Sequence, residues 1–205
     1  MRKVALRPYA LLPRQYDHEK VLATTVDAWG RALWLICPDA EVRTSRYGWT
    51  SPVPRTSSYD AVLVISSGSA VREQPLQGIT LQVVRLDALP HGRVVLHGYG
   101  ATADQNTQIH GADGRRRHGF DMGIAVEYLM ADRRHHLWSA CFDEGVYVDP
   151  ISAAGLVRWD SGGNHERGYR PPAGVPTAPP SSGTHSPSGE AATCTCTAHR
   201  EGSGT

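Results

Sequence analysis

Short apolar runs separated by turn-forming residues constrain this chain more than any other feature of its sequence. The runs are rich in Val, Leu, Ile and Trp, are five to seven residues long, and lie at 21–26, 32–37, 61–66, 81–86, 93–99, 125–130, 136–142 and 155–159. Such lengths suit β-strands and are too short for independent helices. Turn signals stand between them, among them Gly30-Arg31, Pro90-His91-Gly92 and Asp113-Gly114. The sequence therefore predicts an all-β protein.

Two stretches repeat one another at a fixed spacing. Residues 83–100 align with residues 126–143 at an offset of 43, and the alignment pairs Leu86 with Leu129. The offset lies within the ~40–45 residues of a four-stranded propeller blade. One such unit cannot bury both faces of its small sheet, so it must stack on neighbours. We therefore expect a partial β-propeller-like repeat array of roughly three to four units.

Weaker copies extend the pattern. Residues 26–36 resemble residues 86–96 with a two-residue deletion at the turn, and residues 110–116 correspond to residues 158–164. Regular hairpins in a β-sandwich would produce some of the same matches, so a β-sandwich is the alternative fold.

The composition divides the chain into three parts. Residues 1–19 form an irregular lead-in, and residues 20–160 form the repeat domain. Residues 161–205 are rich in Pro, Ser, Gly and Thr, and from Arg170 onward they hold six of the 14 prolines and no Leu, Ile, Phe, Met or Trp. This segment cannot bury enough apolar surface to offset its ordering entropy, so we expect a disordered tail. It is interpreted as either a flexible tether or an out-of-frame ending.

Charge and cysteine usage restrict the class of partner and the compartment. The chain carries 21 Lys or Arg and 20 Asp or Glu, a net charge of +1, which argues against nucleic-acid or membrane-surface binding. The basic run from Arg115 to His118 is interpreted as a solvated hairpin turn. Cys37 and Cys141 end apolar runs and are predicted to be buried thiols. With no disulfide framework, signal peptide or apolar stretch of ~18 residues, the sequence predicts a soluble, cytoplasmic protein.

Asp143 and Glu144 are the candidate metal ligands. They follow the run that ends at Phe142, and carboxylates at the strand ends of a propeller can point into the central channel and bind calcium. A hard cation needs several converging oxygen ligands, however, and an acidic residue before Gly145 is also an ordinary turn residue. The sequence thus predicts no catalytic residue and no cofactor, with calcium at Asp143 and Glu144 as the alternative.

The tryptophans fall into two groups. Trp34 and Trp138 sit centrally in apolar runs and are predicted to be core residues. Trp29, Trp49 and Trp159 lie near turns, and because aromatic side chains are enriched at interfaces, these three are candidates for an interaction rim.

The segment at 123–164 reads GIAVEYLMADRRHHLWSACFDEGVYVDPISAAGLVRWDSGGN. It resembles part of an uncharacterised bacterial family of β-propeller-like proteins with WD40- or NHL-like repeats, and FDEGV and AGLVRWD are its most specific parts. The chain departs from the family pattern at His135 and the two arginines before it, where a turn glycine is usual. The further strands that follow the equivalent of Trp159 in the family are missing, so the chain resembles a truncated member. The resemblance implies a fold and no activity.

An incomplete array of this kind leaves sheet edges unpaired, which predicts self-association or a protein partner that completes the sheet. The function that the sequence predicts is therefore a non-enzymatic interaction or scaffold module, or the truncated remnant of one. The alternative is a metal-dependent enzyme similar to lactonase or hydrolase propellers, with Asp143 and Glu144 among its ligands. The sequence does not decide whether the chain is an enzyme, although the lack of a catalytic motif favours a binding role.

Overall fold

The computed structural model describes residues 9–68, 70–100 and 105–170, and these residues form an all-β protein. The strands are β1 (Lys20–Val26), β2 (Ala32–Cys37), β3 (Ala40–Thr44), β4 (Thr50–Pro54), β5 (Tyr59–Ser67), β6 (Ala70–Ile79), β7 (Leu81–Ala88), β8 (Val94–Gly100), β9 (Thr107–His110), β10 (Arg116–Phe120), β11 (Val126–Ala131), β12 (Leu137–Cys141), β13 (Leu156–Trp159) and β14 (His165–Gly168). A short helix, α1 (Glu144–Val148), lies between β12 and β13. Within these ranges, no helix has both the length and the apolar character needed to cross a membrane.

The strands form three four-stranded antiparallel sheets and one hairpin. Sheet 1 has the order β1-β2-β5-β6, sheet 2 runs from β7 to β10, and sheet 3 runs from β11 to β14. The hairpin of β3 and β4 is inserted between β2 and β5. Each sheet is a meander that crosses from one edge to the other in chain order. This succession of small sheets matches the repetition predicted from the sequence, and it differs from the two sheets of a β-sandwich.

In the structure, the two stretches that repeat at an offset of 43 residues are the first two strands of sheet 2 and the first two strands of sheet 3. The first two strands of sheet 2 and of sheet 3 share one register: Ala88 lies opposite Val94, and Ala131 lies opposite Leu137. Residues 110–116 and residues 158–164 likewise both contain the turn between the third and fourth strands.

The deletion predicted in the first copy is wrong. The turn Asp27–Arg31 of sheet 1 and the turn Leu89–Arg93 of sheet 2 both span five residues and close with the same hydrogen bond. Sheets 1 and 2 therefore align through the turn without a gap, and Asp27 corresponds to Leu89 rather than to Asp87.

Six hairpins of the described chain use this same turn, in which the N–H of the first residue donates to the C=O of the fifth. The turns are Asp27–Arg31, Ser45–Trp49, Leu89–Arg93, Gly111–Arg115, Asp132–His136 and Asp160–Asn164. The fourth residue has a positive φ in every turn and is glycine in five of them, whereas in the Asp132 turn it is His135, with φ 73°. A Cβ atom is unfavourable in the left-handed region, so His135 is strained where the other turns have glycine.

Sheet 2 is buried on both faces because it packs between sheets 1 and 3. One apolar cluster joins sheets 1 and 2 and includes Leu33, Ile65 and Leu96. A second cluster joins sheets 2 and 3 and includes Val95 and Leu137. The first strand of sheet 2, β7, packs against both β1 and β11. The three inner strands therefore lie side by side and line a cavity of about 320 Å³.

Gln15 and Tyr16, in the described part of the lead-in, lie on the face of sheet 1 that is turned away from sheet 2. Gln15 and Tyr16 both donate hydrogen bonds to the Glu73 carboxylate on β6, and the Gln15 bond is 3.0 Å long. Glu73 is in register with Val64, which is fully buried and belongs to the opposite face from Ile65. These two residues of the lead-in therefore contact the outer side of sheet 1.

Some predicted boundaries are corrected by the structure. The repeat domain continues past residue 160, because β14 completes sheet 3 and ends at Gly168. The basic run at 115–118 is only partly a turn, since its last three residues belong to β10. Cys37 and Cys141 are buried free thiols, as predicted. The rest of the predicted tail (161–205), from residue 171 onward and including its two cysteines, lies outside the described residues.

Candidate functional site

One row of paired side chains recurs in all three sheets. In each sheet the row begins two residues before the first hairpin turn and continues two residues after it. The rows are Thr25–Leu33–Ile65–Arg72 in sheet 1, Asp87–Val95–Ile109–His118 in sheet 2 and Met130–Trp138–Arg158–Arg167 in sheet 3. Because side chains alternate between the two faces of a strand, these rows mark the same face of each sheet.

In sheets 1 and 2 this face receives the next sheet. Leu33 and Ile65 are buried in the cluster shared with sheet 2. Val95 and Ile109 are likewise buried in the cluster shared with sheet 3. In sheet 3, by contrast, Met130 is 61% exposed. The face that sheets 1 and 2 use to pack against the next sheet is therefore exposed in sheet 3, the last sheet of the described residues.

The neighbouring row on the same face is also apolar and accessible. Tyr128 lies opposite Ala140, and Ala140 lies opposite Leu156. Tyr169 continues this row, because its backbone N–H donates to the C=O of Leu156 at 2.7 Å. Tyr128 is 66% exposed and Tyr169 is 55% exposed. We call this surface the outer face of sheet 3; it comprises Tyr128, Met130, Trp138, Ala140, Leu156, Arg158, Arg167 and Tyr169.

The outer face of sheet 3 contains a hollow of about 750 Å³. Trp138 and Leu156 line it from β12 and β13, and residues 165–170 line it from the last strand and the chain that follows. A surface that combines aromatic and aliphatic side chains in a concave shape suits a protein or peptide ligand.

Polar contacts hold the aromatic centre of this face in place. The Trp138 indole N–H donates to the Asp132 carboxylate at 3.2 Å. The Arg158 guanidinium lies 5.8 Å from the centre of the Trp138 ring and pairs with Glu166 at 2.5 Å. Arg158 is therefore neutralised within the face, and the indole is fixed before any ligand arrives.

Asp132 is ionised across the ordinary pH range. Burial alone would raise the pKa of its carboxyl group, but hydrogen bonds from the His136 backbone, the Trp138 indole and the Arg134 backbone outweigh burial and lower this pKa to about 2. The carboxylate therefore stays an acceptor for the Trp138 indole at neutral pH.

The predicted metal ligands Asp143 and Glu144 lie at the start of α1, and both are exposed. Asp143 makes no side-chain cap to the helix. Among residues 9–68, 70–100 and 105–170, no group of three or more His, Cys, Asp or Glu side chains is placed to hold a metal ion.

The neighbouring aspartates serve local structure. Asp149 accepts hydrogen bonds from the Ile124 backbone at 2.9 Å and the Ser152 hydroxyl at 2.7 Å. Asp121 accepts a bond from the Asn106 amide at 2.8 Å, close to the connection between sheets 2 and 3. These carboxylates fix the chain around α1 and the entry to sheet 3.

The predicted aromatic rim is not one surface. Trp159 is 2% exposed and its indole N–H donates to the Ser139 hydroxyl at 3.0 Å, so it is a core residue. Trp29 is partly exposed in the first turn of sheet 1, with the Arg31 guanidinium 5.2 Å from its ring centre. Trp49 is exposed at the tip of the β3–β4 hairpin, which leaves sheet 1 at the other end of β2.

Trp138 is predicted from the sequence to be a core residue, yet it is only half-buried and lies at the centre of the outer face of sheet 3. The repeat alignment could have identified this position, because at the offset of 43 residues it aligns Trp138 with Val95. The alignment identifies a packing position, but only the structure reveals that no sheet covers it within the described residues.

A comparison of the chain with protein-family models, with curated proteins and with solved structures finds no match.

Proposed function

We propose that this chain is a non-enzymatic protein-interaction module, a three-blade segment of a β-propeller-like array, and that it binds through the outer face of sheet 3. The observation that carries this proposal is the recurring row. The face that buries Leu33 in sheet 1 and Val95 in sheet 2 presents Trp138 without a covering sheet in sheet 3, among the described residues.

The partner that fits best is the apolar face of another β-sheet. In sheets 1 and 2, this row packs against the aliphatic face of the next four-stranded antiparallel sheet. In sheet 3, for example, the face that packs against sheet 2 includes Leu129, Leu137 and Val157. The partner that we propose is a second copy of the chain, so that the outer face of sheet 3 mediates self-association. Aromatic, Met and Arg side chains, which dominate the outer face of sheet 3, are the residue types enriched at protein interfaces.

Binding through the face is favoured over pairing along the strand edge. The edge strand β14 has only four residues, and three of them, His165, Glu166 and Arg167, are polar or charged and exposed. Short, charged edge strands disfavour addition of another strand. The open edges predicted from the sequence therefore contribute less than the uncovered face.

Sedimentation equilibrium of the full chain tests the proposal. We expect reversible self-association with a dissociation constant on the order of micromolar or weaker, in keeping with a small interface. Met130→Glu should weaken association at least tenfold, because it places a charge in the contact. Val71→Glu is the matched control, since Val71 is 48% exposed on β6 of sheet 1, away from this face. Equal association of the two variants would overturn the proposal.

A further inference from the structure

We propose that two copies of the chain associate face to face about a two-fold axis that runs across the strands of sheet 3, so that the Trp138 ring of each copy packs on Ala140 of the other. This inference rests on the proposed function, because it names the surface that the second copy presents to the outer face of sheet 3. That surface is the same face of the second copy, so the contact closes with two chains.

The outer side of sheet 1 is the surface that a head-to-tail contact would need. Such a contact would continue the array by placing that side of the second copy on the outer face of sheet 3. Gln15 and Tyr16 already donate hydrogen bonds to Glu73 there, and Val64, on the same side, is fully buried. A head-to-tail contact would have to displace these lead-in residues, whereas a face-to-face contact leaves their bonds to Glu73 intact.

The outer face of sheet 3 consists of two rows that lie two residues, or ~7 Å, apart along the strands. The first row is Met130, Trp138, Arg158 and Arg167, and the second row is Tyr128, Ala140, Leu156 and Tyr169. Trp138 has the largest side chain of the face, and Ala140, beside it on β12, has the smallest. A two-fold axis across the strands places the first row of each copy on the second row of the other. Each indole then fills the space above an alanine, as close packing of two sheets requires.

The charges of the face favour this pairing over a pairing of like rows. A two-fold axis along the strands would place the first row of each copy on the first row of the other and would gather the arginines of both chains in one row, where they repel one another. Arg158 is neutralised by Glu166, but Arg167 is exposed. With the axis across the strands, the Arg167 guanidinium instead meets the Tyr169 ring of the second copy, which is a favourable cation–π contact.

Sedimentation equilibrium of the full chain tests the pairing by exchanging the large and the small side chain. Trp138→Ala and Ala140→Trp should each weaken self-association roughly tenfold, because the first removes an aromatic anchor and the second overfills the space that the indole of the other copy needs. The double variant that carries both substitutions should regain roughly tenfold over either single variant, since the new ring then packs on the new alanine. Val71→Trp is the matched control: it adds the same ring at a position that is 48% exposed on β6, away from the contact, and should leave self-association unchanged.

Mixing experiments separate the face-to-face contact from a head-to-tail contact without altering Trp138. A fluorescently labelled wild-type chain is sedimented with an excess of unlabelled wild type or of unlabelled Met130→Glu. In a face-to-face dimer both chains contribute the outer face of sheet 3, so we expect the labelled chain to bind Met130→Glu roughly tenfold more weakly than wild type. In a head-to-tail contact the variant would still offer the outer side of its sheet 1, so equal binding of the two unlabelled chains would overturn the inference.

The two experiments also distinguish failure of this inference from failure of the proposed function. If the wild type self-associates and Met130→Glu weakens its association, but the exchange of Trp138 and Ala140 recovers nothing in a double variant that unfolds at the wild-type temperature, the pairing of the rows is wrong and the interaction module stands. Equal binding of the labelled chain to Met130→Glu and to wild type would likewise contradict only the face-to-face contact. A wild-type chain that stays monomeric at every concentration would contradict the proposed function and this inference together.

Discussion

The carboxylate of Asp87, at the end of β7, accepts a hydrogen bond of 2.7 Å from the backbone N–H of Ala131, at the end of β11. It also accepts one of 2.7 Å from the N–H of Ala88. The side chain is 2% exposed, and burial raises the pKa of its carboxyl group to about 6 despite these two donors. A titratable group therefore joins sheet 2 to sheet 3 inside the protein.

Asp87 should make stability depend on pH. The pKa of its carboxyl group is about 6 in the folded chain and has its ordinary value of 3.8 in the unfolded chain, so its contribution is fully present below pH 3.8 and is lost as the pH rises through 6. Asp87→Asn stays uncharged, so the free energy of unfolding of this variant relative to wild type should rise by at most about 3 kcal/mol between pH 4 and 7. Urea unfolding at each pH measures this difference, and parallel pH curves would contradict it.

His97 should resist protonation. Burial, with a smaller contribution from the charge of Arg85, lowers the pKa of the His97 imidazole from 6.5 to about 4. Its contribution to stability is therefore present above pH 6.5 and is lost as the pH falls through 4. An NMR titration of the ring protons should give a midpoint near 4. A midpoint near the ordinary value for histidine would show that the site is open to water.

His135→Gly should stabilise the fold by about 0.5–1 kcal/mol, because glycine removes the left-handed strain and loses part of the gain to chain entropy. Gly48→Ala is the reverse substitution in an equivalent turn. Gly48 has φ 84° and no atom stands within 4 Å of its missing Cβ, so the expected loss of about 1 kcal/mol is conformational. Thermal unfolding of both variants measures the pair, and a destabilised His135→Gly would show that the His135 side chain contributes more than its strain costs.

Trp159→Ala should destabilise the chain by about 3–5 kcal/mol, since it removes a buried ring and the partner of Ser139. Trp49→Ala should change the free energy of unfolding by less than about 0.5 kcal/mol, because Trp49 is 78% exposed at a hairpin tip. Chemical denaturation compares the two variants. Similar losses in both would contradict the placement of Trp159 in the core and Trp49 on the surface.

The first two strands of each sheet could be predicted from the sequence, and the fourth strand of each sheet could not. Strands such as β2 and β8 are continuous apolar runs because both of their faces are buried. The outer strand β6 reads AVREQPLQGI, and β14 reads HERG. These strands bury little apolar surface, so they lack the pattern that identifies a strand, and the basic run of β10 resembles a turn for the same reason.

The exposure of the outer face of sheet 3 could not be predicted from the composition of the sequence or the spacing of its residues. Trp138 and Trp159 both sit in apolar runs, but they belong to opposite faces of sheet 3. Whether each face is covered depends on which sheets pack beside it, and that depends on contacts between distant parts of the chain. The strained turn at His135 was predictable, because a local departure from a turn pattern is visible in the sequence itself.

Binding of a second sheet by the outer face of sheet 3 can be observed by carbon-13 NMR at the methyl groups of Met130 and Met122 in a concentration series. We expect the Met130 resonance to move progressively as the concentration of the full chain rises, while the Met122 resonance stays in place, because Met130 is exposed on the contact surface and Met122 is fully buried. A Met130 resonance that stays constant while sedimentation shows self-association would place the contact elsewhere on the molecule and contradict binding through this face.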